Sequence, residues 1–358
     1  MKGAGRTGGP GGIVVAPMGG AVDTMVWLTP EQHGLARRCA ELAGVSIVSA
    51  GFPRGTGRAD LAGEALRSLG VSAAYSDIRH EAATTAARLL LVLTAAGNEG
   101  ERSGAVLDDA SLLSACAARG IEVVTLEPAP ASVSSLVSGG SDRPTPVRLA
   151  PLLRDAPEFA QARDAVEIVA PVRSVLVSIC GGPGEGSLGA RLVDAVAALD
   201  AVLGEPESVD ACVSSPGVGA GVHVAPASSV RGLKGDLAAS LRYASASGAV
   251  WLSDRAGPYR REVRIVGEKG GVVLCDGQVR VFTPGGEAMD ADGNAPAATA
   301  GESLVAAVAR SIRAAIERRA LSEAVDWVSV LATAEAAVLS ARTGQNESPR
   351  TIVRMSAG

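Results

Sequence analysis

The stretch Met25-Val-Trp-Leu-Thr-Pro-Glu-Gln-His-Gly34 decides the fold, because it places a tight turn between a short apolar run and a helical pattern. The apolar run covers 25–28, the helical pattern covers 35–42, and a second apolar run covers 45–50. This order is the outline of a βαβ unit. We therefore predict two parallel strands joined by one helix.

The turn itself departs from the fingerprint G-x-G-x-x-G of dinucleotide-binding proteins. In that fingerprint, the glycines permit the tight turn, the approach of a pyrophosphate and the packing of helix on strand. Thr29, Glu31 and Gly34 stand at these three positions, and Glu31 would set a carboxylate near the phosphates. An acidic residue for the ribose hydroxyls is expected about 20 positions further on. The chain has Gly51 there.

Composition restricts the class of protein. The chain has 358 residues, of which 47% are hydrophobic and 20% charged, so we expect a globular protein with two substantial cores. The net charge of −5, with both signs interspersed, argues against nucleic acid as a partner. No apolar run approaches the roughly 20 residues of a membrane span. We expect a cytoplasmic protein without a membrane partner.

Cysteine and histidine usage predicts neither disulfides nor a metal site. The cysteines are far apart and form no C-x-x-C pair, which favours a buried, reduced set: Cys39, Cys116, Cys180, Cys212 and Cys275. The three histidines are widely spaced, so a His-based metal site is not expected. The segment 1–20 is rich in glycine and is interpreted as a flexible leader with one short strand at 12–16.

Alternation of strands and helices continues to about residue 130. Asp77 can cap a helix, and Gly120 can end one. Such alternation predicts a parallel sheet with helices on both faces, a Rossmann-like domain over 21–130. A Ser-, Gly- and Pro-rich segment predicts a linker over 131–150. The remaining predicted elements are helices at 60–69 and 108–119 and strands at 71–75, 89–94 and 121–126.

The second half, 151–358, has the pattern of an α+β domain. After a helix at 188–203, successive apolar runs are joined by short turns, and Asp276-Gly277 is a strong hairpin signal. These features predict a large, mostly antiparallel sheet that buries its open face in a second subunit. The predicted strands are 208–213, 236–244, 249–252, 262–266, 271–275 and 278–282. Helices follow at 302–319 and 325–342, and 351–355 is predicted as a last strand.

Several short motifs follow one another along the chain: Glu127-Pro128, the Leu-Gly-Glu-Pro turn at 203–206, the Ile-Val-Gly-Glu-Lys-Gly hairpin at 265–270, and the closing segment 336–344 with Ser-Ala-Arg-Thr-Gly. In their order and spacing they resemble the Gfo/Idh/MocA oxidoreductases, and the resemblance covers nearly the whole chain from about Val22. The resemblance implies NAD or NADP in the first domain and oxidation or reduction of sugars or cyclitols at the domain junction. It also implies that the C-terminal sheets pair in dimers.

The catalytic positions of that family carry different residues here. The family has Glu-Lys-Pro after its fifth strand; with the prolines aligned, Glu127 replaces the lysine. The family's Asp-x-x-x-His-x-x-Asp motif corresponds to Ser187, Arg191 and Asp194, with Arg191 in place of the histidine. Arginine cannot lose a proton near neutral pH, so it cannot act as the base. Only Asp194 is retained.

Simpler interpretations of the same residues stay open. Arg191 and Asp194 are three apart on a helix and could form a surface pair or bind a ligand. The segment 181–186, Gly-Gly-Pro-Gly-Glu-Gly, has the composition of a mobile connection or of a phosphate loop. His33 is interpreted as a helix-start residue rather than a catalyst.

The sequence leads to two hypotheses. In the first, NAD(P)-dependent dehydrogenase activity is lost, no cofactor is bound, and the chain is a ligand-binding or regulatory homologue. It would bind a small polar ligand and form a homo-oligomer or pair with an active homologue. In the second, the chain is an active NAD(P)-dependent oxidoreductase on a sugar, cyclitol or related polyol that uses substituted residues.

Overall fold

The structure is a computed structural model that describes residues 21–53, 59–75, 77–94, 106–138, 147–182, 184–214, 229–275, 277–289, 303–319 and 324–356. The leader at 1–20 with its predicted strand, Pro183, His223 and Asp276 lie outside the described residues. No helix in these ranges combines the length and apolarity needed to cross a membrane.

The first half forms a six-stranded parallel sheet, sheet A, in the order β3-β2-β1-β4-β5-β6. This confirms the predicted Rossmann-like fold, because it is the strand order of dinucleotide-binding sheets. The strands are β1 (Val22–Trp27), β2 (Val45–Gly51), β3 (Ala74–Tyr75), β4 (Leu89–Val92), β5 (Glu122–Thr125) and β6 (Val147–Leu149).

Helices cover both faces of sheet A. Along β4, Leu89 and Leu91 face one core while Leu90 and Val92 face the other, which explains the continuous apolar run. Asp77 caps its helix by accepting hydrogen bonds from two backbone N–H groups, and Gly120 ends another with φ 67°. The helices of this half are α1 (His33–Ala43), α2 (Ala59–Leu69), α3 (Ile78–Thr84), α4 (Ala110–Arg119) and α5 (Val133–Ser138), of which α5 packs on the core of the second half instead.

Two elements reach sheet A from outside the predicted limits of the first domain. Strand β6 lies in the segment 131–150 that was predicted as a linker, and it pairs in parallel with β5. Helix α9 (Leu304–Ile316) comes late in the chain, yet Leu304, Val308 and Ile312 share a core with α1 and β1. The domain limits at 130 and 150 stay a prediction.

The second half forms an eight-stranded sheet, sheet B, in the order β14-β13-β12-β11-β7-β10-β9-β8. Every pairing among these strands is antiparallel except that of β7 with β10, so the predicted mostly antiparallel sheet is confirmed. The strands are β7 (Val172–Cys180), β8 (Ser208–Ser214), β9 (Asp236–Arg242), β10 (Ser247–Ser253), β11 (Arg260–Gly267), β12 (Gly270–Cys275), β13 (Gln278–Phe282) and β14 (Ala288–Met289).

Helices cover one face of sheet B, and the other face stays open in the monomer. Along β9, buried and exposed residues alternate over the whole strand. Trp251 on β10 is 50% exposed, and Val266 on β11 is 49% exposed. The helices that build the covered face and the chain end are α6 (Pro157–Asp164), α7 (Val166–Val169), α8 (Leu188–Leu203), α10 (Trp327–Thr343) and α11 (Pro349–Ser356).

The prediction of a last strand at 351–355 is wrong, because this segment lies in α11. Pro349 occupies the first helical position, where its missing N–H is not needed. Pro349 and Ile352, which are three positions apart, are both buried and Val353 is partly buried, so a helical face, and not a strand face, packs on the core. A run of only five residues with β-branched members does not distinguish the two structures.

We predict that Gly189→Ala and Gly34→Ala have opposite effects on stability. A Cβ at Gly189 would lie 2.0 Å from the carbonyl oxygen of Val230, whereas a Cβ at Gly34 would have no atom within 4 Å. We expect Gly189→Ala to lower the free energy of unfolding by about 1–3 kcal/mol, and Gly34→Ala to raise it by up to about 1 kcal/mol. Urea unfolding measures both free energies. A Gly189→Ala variant as stable as the native chain would contradict the close packing of Gly189 against the Val230 carbonyl.

Candidate functional site

The carboxyl ends of the sheet A strands face the beginning of α8 across a cleft. The cleft contains a cavity of about 370 Å³. Its walls come from both halves of the chain: Thr29, Gln32, Leu93, Thr94, Glu127, Gly184, Gly186, Ser187, Arg231, Leu233, Lys234, Asp254 and Arg255. Ligands of open α/β sheets bind outside the carboxyl ends of the strands, so this is the candidate active site.

The three fingerprint positions of the first turn occupy different environments. Thr29 lines the cavity, whereas Glu31 is exposed and is not part of the cavity wall. Gly34 has open space where a Cβ would lie, so helix packing does not require a glycine there. Gly51, at the end of β2, is covered by the Tyr75 ring, whose hydroxyl donates to Val26 O at 2.6 Å.

Gln32 is a site residue that the sequence reasoning missed. Its Oε1 accepts a hydrogen bond from Thr29 N–H at 2.9 Å, and its Nε2 donates to Leu93 O and Gly184 O, each at 3.0 Å. The signal for the first of these contacts was present, because Thr-Pro-Glu-Gln has the T-x-x-Q pattern of a capping box. The contact with Gly184 joins distant parts of the chain and has no sequence signal.

Glu127 and Ser187, predicted from separate motifs, meet in the cavity wall. Ser187 Oγ donates to Glu127 Oε2 at 2.5 Å and accepts from Ala190 N–H, which caps α8. Glu127 is 6% exposed, and burial raises the pKa of its carboxyl to about 7. The Ser187 hydrogen bond and the charge of Arg231 partly offset this shift in its pKa. The pair therefore has a carboxyl that can exchange a proton near neutral pH.

Arg231 was also missed, and it holds the turn that carries Glu127. Its guanidinium donates twice to Pro128 O, from Nε at 2.7 Å and from Nη2 at 2.5 Å. A third nitrogen, Nη1, forms an ion pair with Asp108 at 2.5 Å. Arg231 follows a long segment without regular structure in the sequence pattern, so nothing in the sequence connects it with Glu127.

Arg191 does not lie on the surface and is not paired with Asp194. It is 3% exposed, and its guanidinium donates to the carbonyl oxygens of Gly181, Gly182, Glu185 and Ser253. Burial lowers the pKa of Arg191 from its ordinary value. The surface-pair interpretation is therefore wrong, and the described residues of segment 181–186 are held by hydrogen bonds rather than forming a loose connection.

Asp194 lies behind the cavity rather than in its wall. It is 3% exposed and accepts a hydrogen bond from Leu153 N–H at 2.5 Å. Burial raises the pKa of its carboxyl to about 7, which the charge of Arg261 partly offsets. Asp194, Arg191 and Tyr259 line a separate small cavity of about 20 Å³, room for one water molecule.

The other polar candidates have structural positions. His33 is the first residue of α1, with Nδ1 2.8 Å from Pro30 O, as expected for a helix-start residue. All five cysteines are free; three are buried as predicted, but Cys212 is exposed and Cys275 is partly exposed. Within the described ranges, no group of three or more His, Cys, Asp or Glu side chains could hold a metal ion.

Comparison with solved structures identifies the fold. An oxidoreductase from Agrobacterium radiobacter in complex with NAD+, L-tartaric acid and magnesium is 14% identical with a TM-score of 0.62, covering 92% of this chain and 99% of that one. GenD2 from gentamicin A biosynthesis, in complex with NAD, is 18% identical with a TM-score of 0.63, covering 93% and 97%. Levoglucosan dehydrogenase, in complex with NADH and L-sorbose, is 16% identical with a TM-score of 0.62, covering 92% and 99%.

The chain has the fold of the Gfo/Idh/MocA oxidoreductases. The resemblance inferred from the short motifs is confirmed at this level. No known protein-family profile matches the chain, and no curated protein matches it either.

The expectation that no cofactor is bound requires correction. It rested on the missing glycines of the turn, but three matched structures of this fold contain NAD+, NAD or NADH. The frame of such a site is present here, because the first turn before α1 and the ends of β1, β4 and β5 open onto one cavity. The N-terminus of a helix attracts phosphate groups independently of the glycines, so the loss of the glycines does not exclude a dinucleotide.

We predict that Asp194→Asn weakens the dependence of stability on pH. The folded chain keeps the Asp194 proton up to about pH 7, whereas the unfolded chain releases it near 3.8. The free energy of unfolding of the native protein therefore falls as pH rises between these values, by up to about 1.4 kcal/mol per pH unit for this group. Asparagine can still accept from Leu153 N–H.

Urea unfolding between pH 4 and pH 8 measures this difference. Relative to the native protein, Asp194→Asn should gain stability as pH rises to 7 and change no further above it. Asp210→Asn, at an exposed position of β8, is the matched control. Parallel curves for Asp194→Asn and the native protein would contradict the assignment.

Proposed function

We propose that the chain is an NAD(P)-dependent oxidoreductase on a sugar, cyclitol or related polyol, and that Glu127 handles the proton of the reacting hydroxyl. One observation carries this proposal: a buried carboxyl with a pKa of about 7 stands in the cavity wall after β5, where the family has its lysine. Titratable groups with pKa values shifted toward neutrality are characteristic of catalytic sites. The L-sorbose of the levoglucosan dehydrogenase complex supports the substrate class.

In this proposal, the Glu127 carboxylate accepts the proton that a substrate hydroxyl loses on oxidation. Ser187 donates to Oε2, which fixes the carboxylate in the cavity wall. Arg231 is a positioning residue, because it holds Pro128 O and its positive charge favours the ionised form of Glu127. The nicotinamide ring, when bound, supplies the acceptor for the hydride.

The residues that would hold the two ligands come from opposite walls of the cavity. Thr29, Thr94 and the first turn before α1 would hold the dinucleotide. Lys234, Asp254 and Arg255, on the other wall, would bind the polar groups of the substrate. Their mixed charges suit a ligand with several hydroxyl groups, which offers both donors and acceptors.

We predict that Glu127→Gln lowers kcat by about 10²–10⁴, because an amide cannot accept the proton. The first measurement is turnover of a panel of sugars, cyclitols and polyols by the native protein with NAD+ and NADP+. In the native protein, kcat should rise with pH through a value near 7, and this rise should be absent in Glu127→Gln. Glu167→Gln, at an exposed position of α7, is the control. Unchanged kcat in Glu127→Gln would remove Glu127 from the chemistry.

A second candidate is a non-catalytic homologue that binds a small polar ligand in the same cleft. It is favoured by Arg191, which stands at the family's histidine position with its guanidinium bound to backbone carbonyl oxygens. In this case the native protein binds a polyol or sugar in calorimetry but turns over none of the panel with any of the four dinucleotides. Such a result would replace the first proposal by the second.

We also propose that two copies of the chain pair through the open face of sheet B. A half-exposed Trp251 in the middle of a broad sheet face is a typical anchor for an interface. If the chain is the non-catalytic homologue of the second candidate function, the same face could instead pair with an active homologue.

We predict that Trp251→Glu converts the dimer into a monomer. A buried carboxylate without a partner opposes association, so sedimentation at micromolar concentration should show a dimer for the native chain and a monomer for the variant. Leu42→Glu is the control, because Leu42 is 48% exposed and lies on α1, which packs against α2 and β2 of the first half and against α9. A native chain that sediments as a monomer contradicts the pairing.

A further inference from the structure

The amide of Gln32 joins the two halves of the chain across the cleft. Gln32 is only 5% exposed. Its Oε1 holds Thr29 N–H, one Nε2 hydrogen bond goes to Leu93 O after β4, and the other goes to Gly184 O before α8. Both donors of the Nε2 group are used, and only this orientation of the amide satisfies all the contacts.

The position of this side chain coincides with the place for the phosphates in a strand-turn-helix of this type. Pyrophosphate binds there through backbone N–H groups of the turn and the first helical residues. Pro30 has no N–H, Gln32 N–H is bonded to Thr29 O, and Thr29 N–H is bonded to the Gln32 side chain. A phosphate oxygen and Gln32 Oε1 therefore compete for the same donor at Thr29.

The far end of the contact is firmly held. Arg191 donates to the carbonyl oxygens of Gly182 and Glu185, and Glu185 Oε2 accepts from Gly182 N–H at 2.8 Å. Gly184 has φ 86°, and a Cβ there would lie 3.4 Å from Gln32 Cγ. Gln32 thus bonds to a residue that lies between two positions of the second half, Gly182 and Glu185, that Arg191 holds.

We propose that Gln32 is a latch that closes the dinucleotide cleft and that a dinucleotide binds only when the latch opens. The inference rests on the dinucleotide binding that the proposed function requires. Release of Gln32 frees Thr29 N–H for a phosphate and disconnects the first turn from Gly184. The cofactor site is therefore controlled by a contact between the two halves of the chain.

The latch has a measurable consequence for affinity. When only a fraction of the protein is open, the apparent dissociation constant is the intrinsic one divided by that fraction. Removal of the amide raises the open fraction, so Gln32→Met should bind dinucleotide more tightly than the native chain. Methionine has a similar length and is apolar, so it fills the volume but cannot make the three hydrogen bonds.

The experiment is calorimetry of the full chain with NADH and with NADPH. We expect the dissociation constant of the preferred dinucleotide to decrease about tenfold in Gln32→Met, which corresponds to about 1.4 kcal/mol. Gln161→Ala, which removes an exposed glutamine amide from α6, should leave it unchanged. If Gln32→Met unfolds, Gln32→Ala replaces it, and thermal unfolding with and without NADH gives the same comparison.

Two outcomes overturn the latch: equal affinities of the native chain and the Gln32 variants, and no binding in any of them. Failure of the proposed function is a separate result. Tighter binding in Gln32→Met together with no turnover of the substrate panel keeps the latch and removes the oxidoreductase chemistry. Turnover that depends on Glu127, together with no effect of Gln32→Met on affinity, removes the latch and keeps the oxidoreductase chemistry.

Discussion

The candidate site depends on one buried guanidinium. Arg191 is almost fully buried, and its charge is stabilised by the backbone carbonyl oxygens of Gly181, Gly182, Glu185 and Ser253. A buried charge is tolerated only with such partners, so Gly181, Gly182 and Glu185 before α8 are held in one conformation. That conformation sets Ser187 as the cap of α8, where it meets Glu127, and sets Gly184 O where it meets Gln32.

The same constraint gives a structural role to Arg191, which the motif alignment placed opposite the family's histidine. A histidine there would have at most two ring nitrogens to offer, whereas the guanidinium offers five N–H donors in a planar fork. Arg191 cannot accept a proton near neutral pH, but its hydrogen bonds hold the cleft wall in place. Proton exchange near neutral pH is left to buried carboxyls, of which Glu127 faces the cavity and Asp194 does not.

The sheets and most helices could be predicted from the sequence because their signals are local. Alternation along β9, the apolar run of β4, the Asp77 cap and the Gly120 end all follow from residues a few positions apart. The central strand β7 was missed, although Val172–Cys180 is rich in β-branched residues, because it follows short helices and pairs only with strands that come much later. Its identity depends on long-range pairing.

The site could be predicted only as a set of positions. Glu127 and Ser187 were found through motif alignment, but their hydrogen bond and the shifted pKa of Glu127 arise from burial between two halves of the chain. Arg231 carried no signal, and the signal of Gln32 was limited to the capping pattern of its own turn, since a glutamine in a turn and an arginine in a loop usually face water. Contacts between residues more than 100 positions apart define both roles.

The fold is retained although the first turn is altered, because the fingerprint glycines serve two different roles. The glycines of the fingerprint serve the close approach of phosphate and the packing of the helix. In this chain Gly34 has space around it, and Thr29 N–H is occupied by a side chain of the same turn. The hydrogen bonds of this turn are therefore made within the protein itself, without a ligand. Under the proposed function, a dinucleotide would bind by exchanging one set of hydrogen bonds for another, so its affinity would depend on how firmly Gln32 holds the two halves of the chain together.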